Sequence, residues 1–213
     1  MTIMPWHHIV CEVPADHDVG AYCWCEISLD SQEVIDGLVE LPAVEEYTRV
    51  IAATRATDQQ LVEQKVTAAL DAKVDYVLFE SLSKQQTRDT ITEITKRNRR
   101  SIATKHIAGD VTSSAQMVRE LEGMAAMGAD IVKVAYFAHT PSAIAMGLDA
   151  LQRAQANIDK PVSITPMGTR WGRVAAAMAG SQLVFAPLHG ESDRPSADQM
   201  MRLLKEMDGR AHG

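Results

Sequence analysis

Short runs rich in apolar residues alternate with amphipathic stretches along nearly the whole chain. Each apolar run is six to eight residues long, which is the length of a buried strand and short for a helix. Eight such runs are predicted as strands: 8–13, 22–29, 49–55, 75–80, 101–107, 131–137, 161–167 and 182–188.

The stretches between the later strands each have one apolar face, which predicts amphipathic helices. The first, at 57–73, has apolar residues at helical spacing: Leu61, Val62, Val66, Ala69 and Leu70. The same pattern predicts further helices at 87–99, 114–127, 142–158 and 196–207. Ser113 and Ser196 are suited to cap helix N-termini, and we expect turns around Gly128 and Gly172.

A strand followed by a helix, repeated up to eight strands, is typical of a parallel TIM (β/α)₈ barrel. We therefore predict one α/β domain that spans residues 1–213. A doubly wound parallel sheet is the alternative, but no glycine-rich phosphate-binding sequence follows the first strand.

The first two predicted strands do not fit this pattern, because only residues 14–21 separate them. A parallel crossover normally needs a dozen or more residues, so the first β/α unit is expected to be truncated or irregular. Either the two strands form an antiparallel hairpin and the barrel lacks one strand, or a partner subunit completes it. An open barrel exposes strand edges, so we expect a homodimer or higher oligomer that buries residues 1–29. The alternative is that this segment folds back over its own barrel.

Composition and net charge indicate a folded protein and argue against some classes of function. Hydrophobic residues make up 46% and charged residues 23% of the chain, which is enough for a sizeable core. The net charge of -7 argues against a nucleic-acid-binding protein. We find neither a long apolar run that could span a membrane nor a secretory signal in residues 1–6, so we expect a cytoplasmic protein.

The three cysteines do not suggest a disulfide framework. Cys23 and Cys25 could bind zinc together with His7 and His8, but no second closely spaced ligand pair follows. Cysteines packed within strands are the favoured interpretation, and we predict no metal and no cofactor.

Lys133 lies in the middle of the apolar run at 131–137. A cation in a buried strand is unfavourable unless it is paired or its pKa is lowered. A desolvated lysine is partly neutral near pH 7, and a neutral amine can attack a carbonyl to form a Schiff base. The structural alternative is a lysine whose stem is buried while its head reaches solvent at the strand end.

Functional side chains of a barrel lie at the carboxyl ends of its strands. Six consecutive predicted strands carry a candidate side chain there: Glu26, Arg55, Glu80, His106, Lys133 and Met167. Each has an ordinary structural explanation, such as a surface charge, a helix cap, an ion pair or a structural histidine. Together they are harder to explain by chance, and they indicate an active site.

Several segments also resemble a known family in their order and spacing. They are 75–80 (DYVLFE), 104–106 (TKH) with Thr112 and Ser113, 128–135 (GADIVKVA), and 160–168 with Lys-Pro-Val leading to Met-Gly. Arg173, Phe185 and the stretch 196–199 (SADQ) follow at matching positions. From about Glu26 to Gln199 the chain resembles the type I 3-dehydroquinate dehydratases.

The resemblance implies a lyase that converts 3-dehydroquinate to 3-dehydroshikimate in the shikimate pathway. In this reading Lys133 forms the Schiff base, His106 is the general acid and base, and Glu80 orients it. The residues implied to bind the substrate are Glu26, Arg55, Met167, Phe185, and, for its carboxylate, Arg173, Ser196 and Gln199.

The chain also departs from the family pattern. Ser28 stands where the family has an arginine two residues after the glutamate, and residues 56–59 replace an acidic, glycine-paired turn. The loop before Arg173 is shorter, and Ser196 and Gln199 are one residue closer together than usual. Two alternatives therefore stay open: a Schiff-base dehydratase or aldolase for a related polyhydroxylated keto acid, or a barrel that binds a metabolite without turnover.

Overall fold

The structure is a computed structural model that describes residues 9–13, 24–30, 49–110, 113–191 and 193–211. The described residues form eight strands: β1 Ile9–Val13, β2 Trp24–Ser28, β3 Arg49–Thr54, β4 Tyr76–Glu80, β5 Arg100–Asp110, β6 Ile131–Phe137, β7 Val162–Met167 and β8 Val184–Pro187. They also form six helices: α1 Gln59–Asp71, α2 Lys84–Lys96, α3 Ser114–Ala126, α4 Pro141–Asn157, α5 Arg170–Met178 and α6 Ala197–Ala211.

The eight strands form one parallel sheet in the order β7-β6-β5-β4-β3-β2-β1-β8. The sheet curves into a nearly closed barrel, because β1 pairs with both β2 and β8. Side chains help to join β7 to β8 at the remaining seam. The Ser181 hydroxyl accepts from Ile164 N at 3.1 Å, and the Ser163 hydroxyl accepts from Leu183 N at 2.9 Å. The predicted TIM barrel is confirmed.

The expectation that β1 and β2 form an antiparallel hairpin is wrong. The two strands are parallel, with Cys11 opposite Cys25 and Glu12 opposite Glu26. β1 also pairs in parallel with β8, so both of its edges are hydrogen-bonded. One chain therefore supplies all eight strands, and the argument for a dimer from an incomplete barrel does not hold. The dimer itself stays a prediction, and most of residues 1–29 lie outside the described residues.

Alternate residues of each strand face opposite sides of the barrel wall. On β3, Ile51 and Ala53 pack inside the barrel, whereas Val50 and Ala52 belong to the larger core between the sheet and the helices. Cys11 and Cys25 are buried in that outer core, as the packed-cysteine interpretation predicts. His7, His8 and Cys23 lie outside the described residues.

The turn expected around Gly172 is wrong, because Gly172 lies within α5. A Cβ at this position would lie only 2.7 Å from the Cβ of Pro166 on β7. The glycine therefore permits close packing of α5 against β7, which a residue-by-residue turn signal does not reveal. Gly128 does form the expected turn after α3, with a φ of 100°.

Two of the helices have a serine at the N-cap, but only one of these serines caps its helix through its side chain. Ser83 and Gln86 form a capping box at α2. Ser113 stands at the N-cap of α3 without a side-chain hydrogen bond to it. Among the described helices, none is both long and apolar enough to cross a membrane.

Candidate active site

The carboxyl ends of the strands surround a cavity of about 310 Å³. Its lining includes seven residues that the sequence singles out: Glu26, Arg55, His106, Lys133, Met167, Arg173 and Phe185. It also includes four that the sequence analysis missed: Glu12, Ala135, Thr165 and Arg194. Glu80 lines an adjoining cavity of about 460 Å³, which shares His106 and Arg55 with the first. The structure thus brings most of the predicted set together.

Lys133 lies on β6 between Thr104 of β5 and Ser163 of β7. The residue is 7% exposed, so the alternative of a lysine head that reaches bulk solvent does not hold. Its Nζ atom lies 3.6 Å from the centroid of the Phe185 ring, which is a cation–π contact.

The environment of Lys133 favours its neutral form. Burial lowers the pKa of Lys133 from 10.5 to about 8, and the carboxylates of Glu26 and Glu12 offset part of this effect. A neutral lysine amine is the nucleophile that imine formation requires. The site therefore supplies such an amine near neutral pH.

His106 of β5 and Glu80 at the end of β4 contact each other through two polar contacts. One oxygen of Glu80 accepts from the backbone N–H of His106 at 2.9 Å, and the other lies 3.3 Å from Nδ1 of its ring. An ionised carboxylate accepts hydrogen bonds only, so Nδ1 carries the proton and donates. This leaves Nε2 as the basic nitrogen. The His106 side chain is 40% exposed and Glu80 is almost buried, an arrangement suited to an oriented acid–base group.

Glu26 is buried and lies within reach of two cations of the site. Burial raises the pKa of Glu26, while the charges of Lys133 and Arg55 act in the opposite direction. Arg55 bridges Glu26 and Asp30 with N–O distances of 3.5 and 3.3 Å. The hydroxyl of Ser28, where the family has an arginine, donates to Asp30 at 2.7 Å.

Arg173, the arginine implied to bind the substrate carboxylate, already contacts a carboxylate of the protein. Its Nη1 lies 3.3 Å from Glu12 Oε1 and also donates to the carbonyl of Phe185. The other oxygen of Glu12 lies 2.9 Å from Nη1 of Arg194, which also pairs with Glu191. Two guanidinium groups therefore share Glu12.

Of the residues that the sequence analysis missed, Glu12 could have been found. It is a polar residue near the carboxyl end of an apolar strand, which is the same signal that identified Glu26. Arg194 lies in the connection after β8, where no periodic pattern marks it. The Thr165 hydroxyl is buried and has no hydrogen-bond partner among the described residues; this state becomes visible only in three dimensions.

Ser196 and Gln199 form a reciprocal cap at the start of α6. The Ser196 hydroxyl accepts from the backbone N–H of Gln199 at 3.2 Å, and the Gln199 side-chain oxygen accepts from the N–H of Ser196 at 3.1 Å. Ser196 is thus confirmed as a helix cap. A role of the two side chains in binding the substrate stays a prediction.

Comparison with known proteins identifies the family and the fold. The family model "Type I 3-dehydroquinase" matches residues 33–210. The fold is similar to that of a type I 3-dehydroquinate dehydratase from Clostridium difficile, whose structure contains covalently modified comenic acid. The TM-score is 0.83 and the identity 15%, and the match covers 95% of this chain and 92% of that one. The 3-dehydroquinate dehydratase of Geobacillus kaustophilus has a TM-score of 0.81 and 17% identity over 94% and 91% of the two chains. At this identity the two structures show the fold. No curated protein matches the chain in sequence. Because the family model covers most of its length, the chain belongs to the type I 3-dehydroquinase family.

Proposed function

We propose that this protein is a hydro-lyase that converts 3-dehydroquinate to 3-dehydroshikimate through a Schiff base on Lys133. The observation that carries the proposal is a buried lysine amine, with its pKa lowered to about 8, in one cavity with His106. Membership of the type I 3-dehydroquinase family supports the choice of substrate.

The reaction begins when the neutral amine of Lys133 adds to the substrate ketone. The addition product takes up one proton and loses water, which forms a cationic imine. The imine withdraws electrons from the adjacent carbon and makes its proton more acidic. His106 takes that proton through Nε2, and the electron pair then expels the hydroxyl group on the next carbon. His106 returns the proton, so that the leaving group departs as water. Hydrolysis of the imine releases the product and restores Lys133.

Glu80 supports both proton transfers. Because its carboxylate holds Nδ1–H of His106 at 3.3 Å, it fixes the tautomer and stabilises the imidazolium that forms after proton abstraction. Glu26 and Arg55, which line the same cavity, are placed to bind substrate hydroxyl groups. Arg173 is the candidate for the substrate carboxylate because a guanidinium can bind it through two hydrogen bonds.

A second candidate function keeps Lys133 and His106 but changes the substrate to a related polyhydroxylated keto acid. Two observations favour it. Ser28 replaces an arginine of the family and donates to Asp30 at 2.7 Å, and Arg173 is already paired with Glu12 at 3.3 Å. Both features alter the polar groups that a substrate meets.

Borohydride trapping tests the proposal. Incubation with 3-dehydroquinate and borohydride should add a reduced substrate to Lys133, as seen by mass spectrometry of the digested protein, and the Lys133→Met variant should give no adduct. Turnover of 3-dehydroquinate, followed by the absorbance of the conjugated product, then identifies the substrate. An adduct without turnover favours the second candidate. The absence of both for all candidate ketones indicates a barrel that binds a metabolite without reaction.

A further inference from the structure

Glu12 occupies the position in the cavity where a ligand carboxylate would otherwise meet two arginines. It is held at 3.3 Å from Arg173 and 2.9 Å from Arg194, with one carboxylate oxygen toward each. Both oxygens of the carboxylate therefore serve the two guanidinium groups. Glu12 comes from β1, Arg173 from α5 and Arg194 from the connection after β8, so the contact is formed only when the barrel closes.

The charges of this cluster are already balanced. Arg173 and Arg194 carry two positive charges, and Glu12 and Glu191 carry two negative charges that contact them directly. A substrate carboxylate that approaches Arg173 therefore adds a negative charge to a neutral group. It also approaches Glu12, a like charge, within the partly buried cavity, where screening by water is reduced.

A neutral polar group meets no such opposition. A ligand hydroxyl can donate to Glu12, which lines the cavity, without a charge conflict. With Glu12 in place, the cavity therefore favours an uncharged hydrogen-bond donor of the ligand over a carboxylate.

We propose that Glu12 competes with the carboxylate of the substrate for Arg173 and Arg194, and so determines how strongly the site distinguishes carboxylated from uncharged ligands. This inference deepens the proposed function, on which the choice of a carboxylated ring as ligand rests. In this role Glu12 is a specificity-determining residue that lowers the affinity of the site for a ligand carboxylate.

The test compares a charged ligand with a neutral counterpart that is larger by one methyl group. Quinate is the alcohol counterpart of 3-dehydroquinate and cannot form an imine, and its methyl ester lacks the negative charge. Binding of both is measured by isothermal titration calorimetry with the wild-type protein and with Glu12→Gln. Glu93→Gln is the matched control, because Glu93 also contacts an arginine, Arg97, but lies on the outer surface of α2.

Glu12→Gln should bind quinate about tenfold more tightly than the wild type, equivalent to about 1.4 kcal/mol, because a like charge near the binding site is removed. Its affinity for the methyl ester, and the affinity of Glu93→Gln for both ligands, should stay within about twofold of the wild type. Circular dichroism verifies folding, and Glu12→Ser gives the same comparison if the glutamine variant does not fold.

Equal or weaker binding of quinate by the Glu12 variant would overturn the inference, because Glu12 would then be neutral or would hold Arg173 ready for the ligand. A parallel gain for the methyl ester would also overturn it, since charge would not be the cause. The proposed function is judged separately, by turnover of 3-dehydroquinate. Tighter quinate binding without turnover supports the role of Glu12 and rejects the substrate.

Discussion

Replacement of Lys133 by methionine should make the protein more stable at neutral pH while it removes the proposed nucleophile. Burial lowers the pKa of Lys133 from 10.5 to about 8, so the folded protein holds the charged amine less favourably than the unfolded chain does. Methionine has a similar length and no charge, so it fits the same space without this penalty.

The magnitude follows from the two pKa values. A tenfold difference in a protonation equilibrium corresponds to about 1.4 kcal/mol, so the lowered pKa reduces the free energy of unfolding by about 3 kcal/mol when the amine is charged in both states. The penalty is fully present below pH 8. Between pH 8 and 10.5 the folded protein loses the proton before the unfolded chain does, so stability rises with pH. Above 10.5 both states are neutral and the penalty is gone.

Urea denaturation of the wild type and Lys133→Met at pH 7 and at about pH 10 checks this reasoning. The variant should be more stable at pH 7 by up to about 3 kcal/mol, reduced by any loss of the cation–π contact with Phe185. The difference should shrink toward zero at the higher pH, and comparison between the two proteins cancels the titration of the groups that do not interact with Lys133. A variant that is less stable at pH 7, or a difference that does not depend on pH, would refute a lowered pKa for Lys133.

Three further predictions concern catalysis, packing and assembly. His106→Ala should slow turnover of 3-dehydroquinate by roughly 10²–10⁴-fold and let the imine accumulate, as measured by borohydride trapping; near-normal turnover would remove His106 from the mechanism. Gly172→Ala should lower the free energy of unfolding by roughly 1–3 kcal/mol in urea denaturation, because the new Cβ lies 2.7 Å from Pro166 Cβ. Ala175→Gly, at a half-buried position of the same helix, is a control for helix propensity, and an unchanged Gly172 variant would contradict the packing argument. Light scattering at micromolar concentration should detect a dimer or a higher oligomer, and a stable monomer would rule out that assembly.

The alternation of short apolar runs and amphipathic stretches was enough to predict the barrel and all eight of its strands. Periodicity is a local property, and the burial of each element can be read from its own residues. The same holds for Lys133, because a cation within a buried strand signals an unusual environment before any neighbour is known. Glu26, His106 and Met167 followed from the rule that parallel strands carry functional side chains at their carboxyl ends.

Tertiary structure decided the features that depend on residues far apart in the chain. β1 lies between β2 and β8 and is parallel to both, and the length of the connection between β1 and β2 does not contain that information. Gly172 continues a helix rather than ending one, because Pro166 packs against it. Glu12 meets Arg173 across 161 positions, and no local pattern predicts that pairing. The sequence by itself thus determined the architecture and the position of Lys133 within a buried strand, whereas barrel closure decided which charges face each other in the cavity.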